Sequence, residues 1–314
     1  MNNSRFKTTL RPLLFIVGVG FFILLIIQSR KETSAILSSI NWPFFLISAL
    51  IAVGDNIIIS FLFRSLLQKY GFALDYPRIG EMYFFGQMAK YIPGRFWSIL
   101  YHATFLDRPG ATKATLFANL DLTAVMLWRN IAIAGALIAF YQNFWLAGIV
   151  FAAGTAVFWQ LSRSCWLTTI TQFVMRWLKR DGNGRLCTPN QNTTPIWIIS
   201  LLTWIAFLGA NFLLMQAALG YEARQAAFYI AYFGLAWVVG VISFIIPAGV
   251  GVREVTFIFL AQTFGQGNDT TIATLAAIAV VYRFWQVLHE VGGLAVGFIL
   301  NRYRRRLARV GAGR

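Results

Sequence analysis

Charge is scarce in this chain, and acid is scarcer still: of its 314 residues 12% are charged, with 27 Lys and Arg set against 11 Asp and Glu. A soluble domain of this length would carry about a quarter charged residues. Histidine and cysteine are nearly missing, at two each. The cysteines, Cys165 and Cys187, lack metal-ligand spacing, and Cys187 falls in a basic loop, so no disulfide is expected. His102 and His289 lie far apart in sequence. There is no P-loop, no His-x-x-x-His, no Cys-x-x-Cys and no Gly-x-Ser-x-Gly. The Gly249-Val-Gly251 pair follows no strand unit, which excludes a dinucleotide fingerprint. No large polar loop is present to house a soluble catalytic domain. Enzymatic chemistry, a metal and a cofactor are therefore not expected.

What the chain has is apolar length. Hydrophobic residues make up 58%, the mean hydropathy is +0.64, and the apolar residues come in long blocks. The class is an all-α polytopic membrane protein forming one integral membrane domain over 1–314. Its first half is about 1–180, a basic loop follows at 181–195, and the second half is 196–314. The net charge of +16 reads as positive-inside bias and contact with anionic headgroups, not as nucleic-acid binding.

Spans are expected at 12–27, 43–67, 114–140, 144–161, 196–219, 226–246 and 271–300, with 248–264 as an eighth crossing. The stretch 12–27 follows Arg5, Lys7 and Arg11, but no small-residue cleavage site comes after it, so it reads as an uncleaved span. Basic loops fall at Gln68–Lys113 and Ser162–Pro195, and both termini are basic. Both termini are thus placed in the cytoplasm, which requires an even number of crossings.

Two stretches break the pattern. Lys90–Ile99 reads KYIPGRFWSI and Ile246–Glu254 reads IPAGVGVRE. Proline removes a backbone donor and glycine permits a non-helical turn. Broken backbone at membrane depth is tolerated only where protein or a water-filled cavity satisfies it. The segments near 82–106 and 247–264 are accordingly read as Pro/Gly-broken and re-entrant. The first also fits an amphipathic helix lying flat on the membrane. A helix opening after Gly251 would present free N–H groups to an anion, with Arg253 beside it and Glu254 to balance or orient Arg253. A plain alternative places Arg253 at the interface, snorkelling to water.

Further charges sit inside predicted spans: Asp55, Asp121, Arg129, Arg283 and Glu290. Arg283, Gln286 and Glu290 form one polar stripe, and Gly293 and Gly297 continue near it as a Gly-x-x-x-Gly packing face. Asp121 and Asp55 are candidate partners for Arg283, and a purely structural ion network is the competing account. The two breaks lie 154 residues apart, close to half the chain, which suggests a two-half pseudo-repeat with a binding site between the halves.

KYIPGRFWSI, IPAGVGVREVTF and the last-helix stretch VYRFWQVLHEVGG resemble the lysylphosphatidylglycerol synthase transmembrane-region family of flippase-like integral membrane proteins. The resemblance covers nearly the whole chain. It implies a multi-pass protein of the bacterial or archaeal cytoplasmic membrane that moves lipids or lipid-linked headgroups between leaflets. Carried over by position, it points to Pro93, Gly94, Pro247, Gly249, Gly251, Arg253 and Glu254. The aminoacyl-transferring domain of the full synthase does not occur in these residues, so lysyl transfer is not implied. The expected function is a transporter of an anionic or phosphate-bearing lipid, its headgroup held by Lys90, Arg95, Arg253 and Arg283, with Glu254, Glu290 and Asp121 balancing them. The alternatives are a membrane enzyme acting on a lipid-linked sugar or phosphate, and a non-transporting scaffold for envelope synthesis.

Overall fold

The structure, a computed structural model, describes residues 23–24, 26–88, 96–106, 110–141, 143–166, 169–170, 193–220, 222–243, 249–265 and 271–312. Among these, ten helices have defined ends and no strand occurs. They are α1 (Arg30–Ser39), α2 (Trp42–Lys69), α3 (Tyr76–Met88), α4 (Phe96–Ala103), α5 (Ala111–Phe140), α6 (Phe144–Arg163), α7 (Thr193–Leu219), α8 (Ala223–Ile242), α9 (Val252–Phe264) and α10 (Ile272–Ala312).

Among the described residues six stretches are long and apolar enough to cross a membrane: Trp42–Lys69, Ala111–Phe140, Phe144–Leu161, Leu201–Leu219, Ala223–Ile242 and Ile272–Arg306. They correspond to six of the eight expected crossings. Most of 12–27 lies outside the described residues. The helix within 248–264 has only 13 residues, and a full crossing needs about 20. The last helix, by contrast, overruns its expected end and continues to Ala312, because the arginines after Leu300 are good helix formers with no breaker among them. The basic loop 181–195 lies largely outside the described residues. Cys165 is disulfide-bonded, which corrects the expectation of free thiols. The charge of a loop bears on its compartment and not on how closely cysteines approach. Cys187 is outside the described residues.

The packing follows a regular scheme. Helices α2 and α7 cross the molecule antiparallel to each other: Asn41 N–H donates to the Ala217 carbonyl at 2.9 Å and Ser48 Oγ to that of Ala210 at 2.7 Å. Short helices α3 and α4 pack antiparallel, with Arg78 Nη2 donating to the Phe105 carbonyl at 2.5 Å at one end and Gly86 against His102 farther along. Helices α8 and α9 do the same: the Tyr232 hydroxyl donates to the Phe264 carbonyl at 3.0 Å, and Gly240 lies against Arg253. Each pair then leans on the long helix of the other half. Helix α3 packs antiparallel to α10 through Gly80 against Leu300 and a 2.8 Å Glu81–Arg304 ion pair. Helix α8 packs antiparallel to α5, with Tyr141 stacked on Phe228 (5.2 Å), Arg224 over the Tyr141 ring (5.5 Å) and Gly234 against Asn130. Gly293 and Gly297 are the close-approach face expected of them, and they serve the bundle interior: a methyl at either would meet Phe84 at 3.1 or 3.0 Å.

Two apolar clusters fill the interior, and the polar residues lie between them. On α2, residues from Phe45 to Ala52 belong to one cluster and Ile59 to Leu67 to the other, with Asp55 and Asn56 between. On α10, Leu275–Trp285 belong to the first and Val296 and Leu300 border the second, with Gln286, His289 and Glu290 between. The charges at this depth are paired. Arg129 Nη1 reaches both oxygens of Asp55 at 3.1 and 3.3 Å, and its guanidinium lies 4.6 Å from the Phe207 ring centroid. Asn56 meets His289 Nδ1 at 3.2 Å, and the Tyr282 hydroxyl donates to Asn211 Oδ1 at 2.9 Å. Nearer the end of α2, Lys69 Nζ stands 2.6 Å from Asp121 Oδ2, with both side chains wholly enclosed. The Tyr70 hydroxyl donates to the same oxygen at 2.6 Å, and Lys69 also donates to the Ser164 carbonyl at 2.8 Å. Burial and the neighbouring carboxylate push the Tyr70 phenol up, so it remains a donor.

Removing one member of such a pair strands the other in a medium that cannot solvate it. Lys69→Met is expected to lower stability by about 3 kcal/mol, and Lys69→Met/Asp121→Asn to recover most of the loss. Thermal unfolding in detergent checks this; equal losses in the single and double variants would show that the pair is not coupled.

Candidate functional site

The second break builds the site. Gly249 and Gly251 have φ of +64° and +85°, the left-handed region that glycine enters without strain. This lets the chain turn directly into α9, so that Val252 begins a helix three residues after Gly249. The turn also brings Gly249 against the α8 backbone. A side-chain carbon there would lie 3.1 Å from Gly240 Cα and 2.9 Å from Arg253 Nε.

Arg253 and Glu254 leave the start of α9 in different directions, as consecutive helix residues must, about 100° apart. The expectation that Glu254 neutralises Arg253 is corrected by the direction it takes. Its buried carboxylate turns back to accept the Gly251 N–H at 2.7 Å, an intrahelical cap. That cap also occupies one of the amide donors that the sequence offered to an anion. Arg253 is left without a carboxylate: among the described residues its guanidinium makes no ion pair and no hydrogen bond, and its buried Nε has no partner. It lies 5.7 Å from the Trp237 ring centroid. Of the neighbouring charges, Arg283 acts on it most strongly, ahead of Glu254 and Glu290.

Arg283 comes from α10 and is buried at 8% exposure. Its one hydrogen bond among the described residues is to Gln286 Oε1, at 3.2 Å, one turn along. Neither Asp55 nor Asp121 pairs with it, since Arg129 and Lys69 hold those carboxylates. Both arginines line a small cleft, together with Phe233, Ala236, Trp237, Glu254, Ala279, Tyr282 and Gln286. Phe233 is sandwiched between Phe257 and Tyr282 at 3.8 Å on each side, a stiff aromatic wall that ties α8, α9 and α10 together.

Of the expected site residues, the structure brings Arg253, Glu254 and Arg283 into one cleft, with Gly249 and Gly251 forming its turn. Glu290 is partly buried one turn beyond Gln286 and does not line the cleft. Asp121 belongs to the Lys69 pair and does not line it either. Lys90, Pro93, Gly94, Arg95 and Pro247 lie outside the described residues. Trp237, Tyr282 and Gly240 were not singled out from the sequence. An aromatic three residues ahead of a glycine on an apolar helix is ordinary core sequence, and only the fold shows that Arg253 lies on it.

No group of three or more His, Cys, Asp or Glu among the described residues is arranged to hold a metal ion. Lone, unopposed guanidiniums can instead offer parallel hydrogen bonds to phosphate or carboxylate oxygens.

A bundle of long apolar helices around a cationic cleft at a helix break defines a multi-pass membrane protein. The chain belongs to the family of the lysylphosphatidylglycerol synthase TM region, whose model matches residues 13–289. No individually curated protein matches the chain.

The capping geometry assigns Glu254 to the backbone. Glu254→Ala is expected to cost about 1 kcal/mol, whereas Glu254→Gln, which keeps the acceptor, should lose less than half of that in thermal unfolding. A glutamine variant as unstable as the alanine one would mean that the negative charge, and so Arg253, is what Glu254 serves.

Proposed function

We propose that the chain is a lipid transporter that moves an anionic or phosphate-bearing lipid, or lipid-linked headgroup, between the leaflets of the cytoplasmic membrane of a bacterium or archaeon. The observation that carries the reading is the Arg253–Arg283 cleft. Two guanidiniums meet there with no carboxylate within ion-pair distance of either among the described residues, although the same bundle pairs Asp55 with Arg129 and Asp121 with Lys69. A charge inside a membrane is costly unless something balances it. The family match agrees with lipid handling as the task.

The topology that fits this reading has α3–α4 and α8–α9 as re-entrant hairpins entering from opposite faces. The antiparallel contacts of α3 with α10 and of α8 with α5 support the opposite orientation, and the 13-residue α9 is too short to cross. Full crossings are then the expected 12–27 span with α2, α5, α6, α7 and α10, while α8, long enough to cross, returns through α9 toward the face it entered. This even number keeps both basic termini in the cytoplasm. The two halves form an inverted pair, the arrangement in which one half can rock against the other, and the cleft lies in the second half, between α8, α9 and α10. The partners are membrane lipids; the protein performs no covalent chemistry, and movement follows a gradient or downstream consumption.

The test is translocation of fluorescent phosphatidylglycerol in proteoliposomes, read by quenching of the outer leaflet. The wild-type protein should accelerate it. Arg253→Ala and Arg283→Ala should each slow it at least about tenfold, the effect of losing a charged hydrogen bond, while Val255→Ala, on the exposed side of α9, should not. Folded arginine variants with full activity would remove the proposed site. So would a wild-type protein inert toward phosphatidylglycerol, lysyl-phosphatidylglycerol and polyprenyl phosphate alike.

A further inference from the structure

Arg253 reaches the cleft only by lying flat against α8, and what makes room for it is a missing side chain. A Cβ placed on Gly240 would stand 2.5 Å from Arg253 Cγ, 2.7 Å from Nε and 3.1 Å from Cδ. These atoms belong to the stem of the side chain as well as its head. Arg253 could therefore not escape by a small rotation at its tip; the whole side chain would have to leave its course.

The first hairpin repeats this contact. A Cβ on Gly86 of α3 would collide with the His102 ring of the returning helix α4, closest at Nε2. His102 is buried, with Nδ1 3.0 Å from the Asn119 amide nitrogen, so its ring cannot swing away freely. The sequence carries the same correspondence in one register. Gly80, Gly86, Ile92 and Pro93 recur 154 residues later as Gly234, Gly240, Ile246 and Pro247. The earlier glycine of each set has one job as well. Gly80 receives Leu300 of α10, and Gly234 sits 3.5 Å from Asn130 of α5, each being the long helix of the opposite half. A four-residue match in one register, with matching contacts at both glycines, is what an internal duplication leaves behind. It does not arise from apolar composition alone.

We infer that Gly86 and Gly240 are equivalent positioning residues. Each keeps open, on the entering helix of its hairpin, the furrow into which the returning helix lays one side chain: His102 in the first hairpin and Arg253 in the second. Gly240 thereby acts through Arg253, fixing the guanidinium between Trp237 and Arg283 instead of leaving it to sweep the cleft. The inference rests on the transport reading only for its consequence in activity; the positioning itself is a property of the fold.

A double-mutant cycle separates the two. Gly240→Ala, Arg253→Ala and the double variant are compared by melting temperature in detergent and by phosphatidylglycerol translocation in vesicles. Gly240→Ala should lower the melting temperature in the Arg253 background and leave it unchanged or raised in the Arg253→Ala background, where the furrow is vacant and alanine favours the helix. The cycle of Gly86→Ala with His102→Ala should behave alike. Translocation by Gly240→Ala should fall at least tenfold, and the double variant should be no slower than Arg253→Ala. If Gly240→Ala alone fails to fold while the double variant folds, the coupling is demonstrated in its strongest form. Equal destabilisation by Gly240→Ala in both backgrounds, or failure of both to fold, overturns the inference. Coupled melting temperatures with full translocation by Arg253→Ala would leave the positioning standing and remove the transport reading instead.

Discussion

A charge taken out of water must be met by another charge or a set of dipoles, and this rule organises the interior of the bundle. Asp121 is enclosed completely and is surrounded by Lys69 Nζ and the Tyr70 hydroxyl, each 2.6 Å from one of its oxygens. Asp55 is held by Arg129 at 3.1 Å. These pairs join α2 to α5 at two depths, and so fix the two long helices of the first half against each other. With those acids engaged, neither Arg253 nor Arg283 forms an ion pair among the described residues. Glu254 is committed to the Gly251 amide, and the geometry of consecutive helix residues carries it away from Arg253. The cationic cleft is thus produced by where the acids go as much as by where the arginines sit.

That arrangement depends on backbone that only glycine supplies. Gly249 and Gly251 take positive φ to start α9 abruptly, and Gly240 gives up its side chain so that Arg253 can lie along α8. Glycine costs helix stability, about 1 kcal/mol relative to alanine. In α8 the cost is offset by packing, since Phe233 of the same helix is stacked on both faces by Phe257 and Tyr282. Rigid aromatic contacts at Phe233 and an open furrow two turns along the same face at Gly240 allow one helix to be firmly anchored and still bear a charged side chain at depth.

Much of this was legible in the residues. Long apolar blocks announce α2, α5, α6, α7 and α10, and the Tyr141–Asn143 turn is visible as a short uncharged gap that Asn143 then caps. The Pro-x-Gly-x-Gly-x-Arg-Glu run falls where α9 opens beside the cleft, because proline and paired glycines break an apolar helix. Pairings were not legible. Asp121 and Arg283 looked like partners because both are rare intramembrane charges, yet Lys69, read from the sequence only as a loop cation marking the cytoplasmic side, is drawn inward at the end of α2 to meet Asp121. The length of α9 was misjudged for a related reason. Hydropathy sees 248–264 as one apolar run, but the helix begins only after Gly251, which leaves 13 residues. Sequence reports which groups are buried; which groups meet is decided by helix crossings that hydropathy does not encode.

The two hairpins are alike in backbone and unlike in charge, and that contrast bears on how a headgroup would move. In the first, the side chain lying on the glycine is His102, buried and hydrogen-bonded to Asn119, with a closed Lys69–Asp121 pair on the neighbouring long helices. In the second, the same place holds Arg253, its Nε without a partner, as His102 Nε2 is, and lining one cleft with Arg283. A symmetric device with matched charges on both sides would bind an anion equally well at either end, and tight binding at both ends would hold it in place. Here the two hairpins lay an imidazole and a guanidinium on equivalent glycines of one scaffold, so the side chains at that place differ in chemistry.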